Sequence, residues 1–439
     1  MKTRLSRTLL IAAGVSVLLT LALAMNLLPD LRGGAGWRWP YEAPTDALRL
    51  LPGILLLAAY LALGEWWIER LETTANNRSH AFLAFCCAGL LVASGSPLYL
   101  LFTRTVSSAS GGFHEVGVRI ADVGAFLRDY PALMPTWTAH PAAHPPGIPL
   151  LFWGTERVFA ALPALADVLA GWLRPLQCHH RVLMGLPDSG IAAALVGMIL
   201  PMLGALAVLP AFSFVKTLAD RETALRSALW LPLIPAFLLF TPQWNQLYVL
   251  LLVIGLWLAE RALSRLSLVW FFALGLLASL ASFLSFTNIN ILGALGVFVV
   301  AYTLLAGRPN WAARDWVRLA VGLVLALAGF LTLWLAYSLA SGNSPLLIFS
   351  MAFTTHMNFS KPYLPWLLYF PLDVALFSGW ALFLLGLIEA WRTLREAVAI
   401  PRVAHRAAVL PVTLVVAVFG LDLMGGVRGE VGRLLLGMM

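Results

Sequence analysis

The sequence predicts an all-α, polytopic membrane protein, and three observations carry that prediction. The 439 residues are 60% hydrophobic and 11% charged, with a mean hydropathy of +0.85. A soluble domain carries about 25% charged residues, so this chain has too few to cover a water-facing surface. The apolar runs are roughly 17–25 residues long, the length of a helix crossing a bilayer. They lack the period-two alternation of barrel strands, and a backbone in lipid must satisfy its own hydrogen bonds, so they read as helices. Finally, basic connections alternate with short turns that contain neither Lys nor Arg, as the positive-inside bias requires.

Taken in order, the chain opens with MKTRLSRTLLIAAGVSVLLTLALA. Its basic start and long apolar stretch fit an uncleaved first helix; a cleaved signal peptide is the other reading, and both place Leu28 onward outside. Spans are expected at 8–28, 47–67, 81–102, 189–212, 226–241, 247–263, 266–285, 288–306, 317–339, 366–390 and 405–422, about 11 in all with boundaries loose by a few residues. The N-terminus is then cytoplasmic. The cytoplasmic connections include IERLETTANNR, VKTLADRETALR, AERALSR, GRPNWAARDWVR and EAWRTLREAVAIPRVAHR, whereas the outside turns PQWNQ and SFTNIN contain neither Lys nor Arg. The net charge of +8 follows from this bias and gives no reason to invoke nucleic acid.

The same test decides residues 149–172, LLFWGTERVFAALPALADVLAGWL. They carry Glu156, Arg157 and Asp167, with breaks at Pro163 and Gly171. Counting them as a span would reverse every later connection, so they read as helices lying along the membrane surface, apolar face down. Residues 103–188 thereby form a large extracytoplasmic loop with juxtamembrane helices, within a single transmembrane domain covering 1–439. The sequence ends in DLMGGVRGEVGRLLLGMM, where an apolar run begins whose natural continuation is one more span. Cys86 and Cys87 fall in an apolar run and Cys178 lies apart, with no CxxC pattern or disulfide framework.

Candidate chemistry concentrates outside. Glu115, Asp122 and Asp129 in HEVGVRIADVGAFLRDY are spaced seven apart, which on a helix puts them roughly on one face. A carboxylate facing a low-dielectric pocket can act as general base on a hydroxyl. The bland alternative is a solvated face paired with Arg119 and Arg128. In HPAAHPPGIP, consecutive prolines hold the backbone extended and fix His144 at the entrance of the next helix, which Pro149 helps to start. There His144, with His140 nearby, suits an anion; a tight interfacial turn is the alternative. Arg428 and Arg433 flank Glu430 in RGEVGR, a pattern suited to phosphate or to anchoring, and Lys361 in SKPY is a further cation. Trp37, Trp39 and Trp137 suit sugar stacking or an aromatic belt, and Asp30 is a lesser acid candidate. His140 and His144 are four apart, but Pro141, Pro145 and Pro146 prevent a regular helix face. His179 and His180 are adjacent and no HExxH occurs, so neither metal nor cofactor is expected.

Together these features resemble the GT-C superfamily of integral-membrane glycosyltransferases, including the dolichyl-phosphate-mannose-protein mannosyltransferase-like bacterial proteins. The segment FLRDYPALMPTWTAHPAAHPPGIPLLFW and the late RGEVGR are similar to bacterial members with a Y…M…H…HPPG loop and a late GEV-R segment. The topological likeness spans nearly the whole chain; the residue-level likeness is confined to those segments. The resemblance implies transfer of a sugar from a polyprenyl-phosphate donor to an extracytoplasmic glycan, lipid or protein acceptor, with inversion, at the outer face of the plasma (inner) membrane. It implies Glu115 or Asp122 as base, and His140, His144, Lys361, Arg428, Glu430 and Arg433 around the donor phosphate. The chain departs from the family in its first outside loop, where the family's acid commonly sits and this sequence offers only Asp30 and Glu42. Two other readings are a transporter or flippase of lipid-linked saccharides, which calls for charges within spans and broken helices, and a non-catalytic membrane homologue.

Overall fold

A computed structural model describes residues 2–34, 36, 38–41, 43, 48, 51–73, 79–93, 95–107, 112–137, 140–178, 180–240, 244–307, 311–358, 361–400, 405–429 and 431. Among these residues the regular structure is helical throughout, with no strand. Six helices are long and apolar enough to cross a membrane: Leu51–Leu71, Asp188–Leu218, Asn245–Arg265, Phe286–Gly307, Ala313–Ser341 and Arg406–Met424. The number rises to nine if each of three bent pairs is one crossing. These are Ser79–Ala93 with Leu98–Val106 at 66°, Gly147–Ala160 with Pro163–Gln177 at 117°, and Tyr363–Ser378 with Trp380–Ala399 at 111°.

Three of the eleven expected spans are not among the nine, which instead include the bent pair at 147–177. Leu9–Ala24 and Leu268–Leu284 are apolar but shorter. The predicted span at 226–241 is divided into the end of the Arg221–Trp230 helix, a 3-10 turn at Leu231–Leu233 and the short Pro235–Leu239 helix. Pro232 and Pro235 interrupt its hydrogen-bond ladder, since each lacks an N–H and clashes with the preceding turn. Residues 147–177 turn back on themselves at Leu162, so they do not form a straight crossing.

The most extensive helix pairing joins Leu268–Leu284 to Ala313–Ser341. Glycine makes it possible. A Cβ on Gly275 would collide with the Ala326 carbonyl, and one on Gly329 with the Phe272 carbonyl. Small residues let helix backbones approach this closely where lipid supplies no hydrophobic driving force. Two bonds cross the same seam. The Leu333 N–H donates to Ser279 Oγ at 3.2 Å, and the Trp334 indole N–H donates to Ser282 Oγ at 3.0 Å.

Segments assigned to one side by their charge are neighbours in space. Arg221 donates to the Leu71 carbonyl at 3.3 Å and to Ser79 Oγ at 2.7 Å, Arg226 pairs with Glu65 and Glu222, and the His405 N–H donates to the Leu305 carbonyl at 2.8 Å. Trp244 and Ser285, from the two turns without Lys or Arg, both reach the 113–147 region.

The Gly275 contact yields a prediction. Gly275→Ala is expected to destabilise the detergent-solubilised protein by about 1–3 kcal/mol, the usual cost of overpacking. A thermal melt checks this, and an unchanged midpoint would contradict the close approach.

Candidate functional site

The three spaced acids do meet, though not on one helix. Glu115 lies on the Phe113–Val118 helix and Asp129 on Val123–Leu133, with a turn between them. Asp122 makes that turn. Its extended backbone (φ −119, ψ 113) stops helical propagation, and its side chain accepts the Ala125 N–H at 2.8 Å as an N-cap. The expected single helical face is therefore a two-helix corner. All three acids still line one cleft of about 430 Å³, together with Arg119, Phe126, Trp137 and Pro141.

Their surroundings differ. Glu115 is paired with Arg119 at 3.1 Å, one helical turn away. Asp122 is exposed; the Ala125 N–H, aided by the Gly124 N–H and the nearby Arg128, holds its carboxyl below the usual carboxylate range. A carboxylate so engaged is a poor proton acceptor. Asp129 is exposed in the lining and has no hydrogen bond or ion pair among the described residues. Of the three, it is the lining acid that no other group engages among the described residues.

The wall behind the cleft is held by charges that look out of place in the sequence. Arg157 Nη2 donates to the Ile120 and Ala121 carbonyls at 3.1 and 3.3 Å, fixing the turn between the two helices. Glu156 is buried and accepts the Ser189 hydroxyl at 2.8 Å. His114 is buried with its ring edge-on to Phe152, 5.2 Å between centroids, and Nε2 lies 2.8 Å from the Gly190 carbonyl. That nitrogen therefore carries the proton. Burial pushes the His114 pKa down from its ordinary 6.5 to about 4, against the smaller opposing effect of the Gly190 bond.

The HPPG segment is fixed by docking rather than by its prolines alone. His144 Nδ1 lies 3.0 Å from Ser285 Oγ, and the His144 carbonyl accepts the Tyr130 hydroxyl at 2.8 Å. Gly147, the first residue of the Gly147–Ala160 helix, rests on the Phe283 carbonyl with no room for a Cβ. Phe113 packs edge-on to His144 at 5.5 Å and to Trp244 at 6.0 Å, while His140 and His144 lie 6.0 Å apart. Neither histidine is in the cleft lining; Pro141, between them, is. Sequence reasoning missed Ser285, Trp244 and Arg157. The signal for the first two was that both lie in the short turns without Lys or Arg, and for Arg157 its position as a charge inside an apolar run.

The late segments form a separate cluster. Arg428 Nε donates to the Gly425 carbonyl at 2.7 Å and Nη1 to the Lys361 carbonyl at 2.9 Å, with its guanidinium 5.3 Å over the Tyr363 ring. His356 Nε2 lies 2.9 Å from the Gly426 carbonyl. Arg428 is thus a tie between two segments, and neither it nor Lys361 is in the cleft lining. Glu430 and Arg433 lie outside the described residues, as do Trp37, Glu42 and His179. Asp30 is exposed and paired with Arg38 at 2.8 Å. Trp39 is packed between Phe240 and Phe377, ring centroids 5.8 and 4.9 Å away, so it is part of the packing and not a platform for sugar. Among the described residues no group of three or more His, Cys, Asp or Glu is arranged to hold a metal ion.

Comparison of the chain with protein-family models, curated proteins and solved structures gave no match.

The buried His114 sets a pH dependence. Its pKa is lower in the fold than in the unfolded chain, so the unfolded chain binds more protons between pH 6.5 and about 4. Stability is therefore fully present above pH 6.5 and falls as pH drops through that window, by at most about 1.4 kcal/mol per pH unit from this group. Thermal melts across that range are expected to show the fall, and His114→Gln is expected to flatten it.

Proposed function

We propose that the chain is an integral-membrane glycosyltransferase. It moves a sugar from a polyprenyl-phosphate donor to a hydroxyl of a glycan, lipid or protein acceptor at the outer face of the plasma (inner) membrane. On this reading the N-terminus is cytoplasmic, the chain crosses about 11 times, and 103–188 is the extracytoplasmic loop that carries the site. The observation that supports it most is the cleft itself. Three carboxylates, an arginine and a tryptophan ring gather in about 430 Å³ within that loop, beside a bundle of apolar helices.

The proposed chemistry follows from the environments of the acids. Asp129 accepts the acceptor's hydroxyl proton. The oxygen attacks the anomeric carbon, the bond to the donor phosphate oxygen breaks, and its electron pair leaves with the lipid phosphate, inverting the centre. Trp137 offers a face for the sugar ring. Arg119 is the cation in the lining and is suited to the departing phosphate; Glu115 orients it. His140, His144, Lys361 and Arg428 act around the site rather than in it, since none of them is in the lining. No cofactor enters the reaction.

A second reading, a transporter or flippase of lipid-linked saccharides, is favoured by the three helix pairs bent at short breaks. One experiment separates the two. Membranes expressing wild type, Asp129→Asn, Glu115→Gln or Asp122→Asn at equal levels are supplied with radiolabelled nucleotide-sugar precursors. Asp129→Asn is expected to lower transfer by about 10²–10⁴-fold, the usual loss of a general base, while labelled lipid-phosphate sugar accumulates. Asp122→Asn is expected to retain most activity. Wild-type transfer in all three variants would sink the glycosyltransferase reading and leave the transporter.

A further inference from the structure

Asp373 lies in the Tyr363–Ser378 helix, which meets Trp380–Ala399 at 111°. The break falls at Gly379, whose φ of +94 a side chain would strain. Asp373 is 1% exposed, and its Oδ2 has no hydrogen-bond partner among the described residues. Trp39, wedged between Phe240 and Phe377, brings its indole to the carboxyl from the first outside loop.

Charged groups on the elements packed against this helix leave Asp373 without an ion pair. The Pro235–Leu239 helix, which packs on this one, has no ionisable side chain. On Trp380–Ala399, Arg392 is paired with Glu389 at 2.5 Å and with Glu396 at 3.2 Å, and Arg395 lies beside them in the second half of the helix. On Arg406–Met424, Arg406 and Asp422 sit near the two ends. In the first loop, Arg32 donates to the Trp39 carbonyl at 3.0 Å and Arg38 is paired with Asp30. None of these forms an ion pair with Asp373.

A carboxylate removed from water without a cation is strongly unfavourable. Acids inside membrane bundles therefore pair, bind an ion or carry a proton. Divalent cations take six or more oxygen ligands, whereas the side chain brought to this carboxyl is an indole. We propose that Asp373 is a proton-binding site of the helix bundle, loaded and unloaded at the break in the Tyr363–Ala399 pair. The proton adds to the carboxylate to give the neutral acid and leaves as a proton, with no other bond changed. The last turn before Gly379 has carbonyls without helical partners, which give water a foothold there. The site is independent of the glycosyltransferase reading and stands if that reading fails.

The test is infrared difference spectroscopy on the full chain in lipid nanodiscs, comparing wild type with Asp373→Asn from mildly acidic to mildly alkaline pH. Wild type is expected to show a carbonyl-stretch band of one protonated carboxylic acid at neutral pH. That band is expected to shift in D₂O, vanish as pH rises, and be lost in Asp373→Asn but kept in Asp422→Asn. Trp39→Phe keeps the acid and is expected to move the band's frequency, so the assignment survives if Asp373→Asn does not fold. Identical spectra of wild type and Asp373→Asn in this region at every pH would overturn the proposal. So would a band unchanged across the whole pH range, or one abolished by sodium at constant pH, which would make the ligand a metal cation.

Discussion

Contact between two backbones, at Gly147 and Phe283, is the point on which the candidate site hangs. The Leu268–Leu284 helix is itself held by the glycine seam against Ala313–Ser341. Its C-terminal end then receives Gly147 on the Phe283 carbonyl and His144 on Ser285. Tyr130 bonds the His144 carbonyl and so ties the Val123–Leu133 helix to the same point. The cleft inherits its position from the bundle through three successive close approaches, each intolerant of an added methyl or a lost hydroxyl. A loop of this length placed only by its own turns would carry no such precision.

Several arginines between the long apolar helices bond main-chain carbonyls. Arg157 serves Ile120 and Ala121, Arg221 serves Leu71, Arg174 serves Met184 and Leu186, and Arg428 serves Gly425 and Lys361. Irregular backbone packed away from water needs such partners, because an unpaired carbonyl removed from water is costly. Arginine suits the task with several donors in a rigid fork and a charge that never titrates away. A sequence motif such as RGEVGR, which reads as a phosphate clamp, is in Arg428 an internal strut.

This explains what the sequence discloses and what it conceals. Long apolar runs are legible because length alone decides whether a helix can cross, and the strongest ones lie where expected. The 226–241 run is misleading because two prolines cut a stretch whose composition is otherwise ideal. The grouping of Glu115, Asp122 and Asp129 is legible from spacing, since even a broken helix keeps its corner compact. Which acid is uncommitted is not. Asp122 caps a helix through a bond three residues away, and only the observed helix start reveals it. The His144–Ser285 bond spans 141 residues of sequence and leaves no local trace.

The sign of the cleft's charge constrains how a donor and an acceptor would share it. Three carboxylates against one lining arginine make it repel a lipid phosphate from all but the Arg119 side. A neutral, hydroxyl-rich acceptor has no such restriction, and its hydroxyls suit the carboxylate oxygens as hydrogen-bond donors. On the proposed reading, the Glu115–Arg119 pair would mark a boundary, with acceptor toward Asp129 and Trp137 and phosphate toward Arg119. The guanidinium of Arg119 is paired with Glu115 at 3.1 Å, and Asp129 has no ion pair among the described residues. One ion pair thereby separates the cleft's arginine from its uncommitted carboxylate within a single small space.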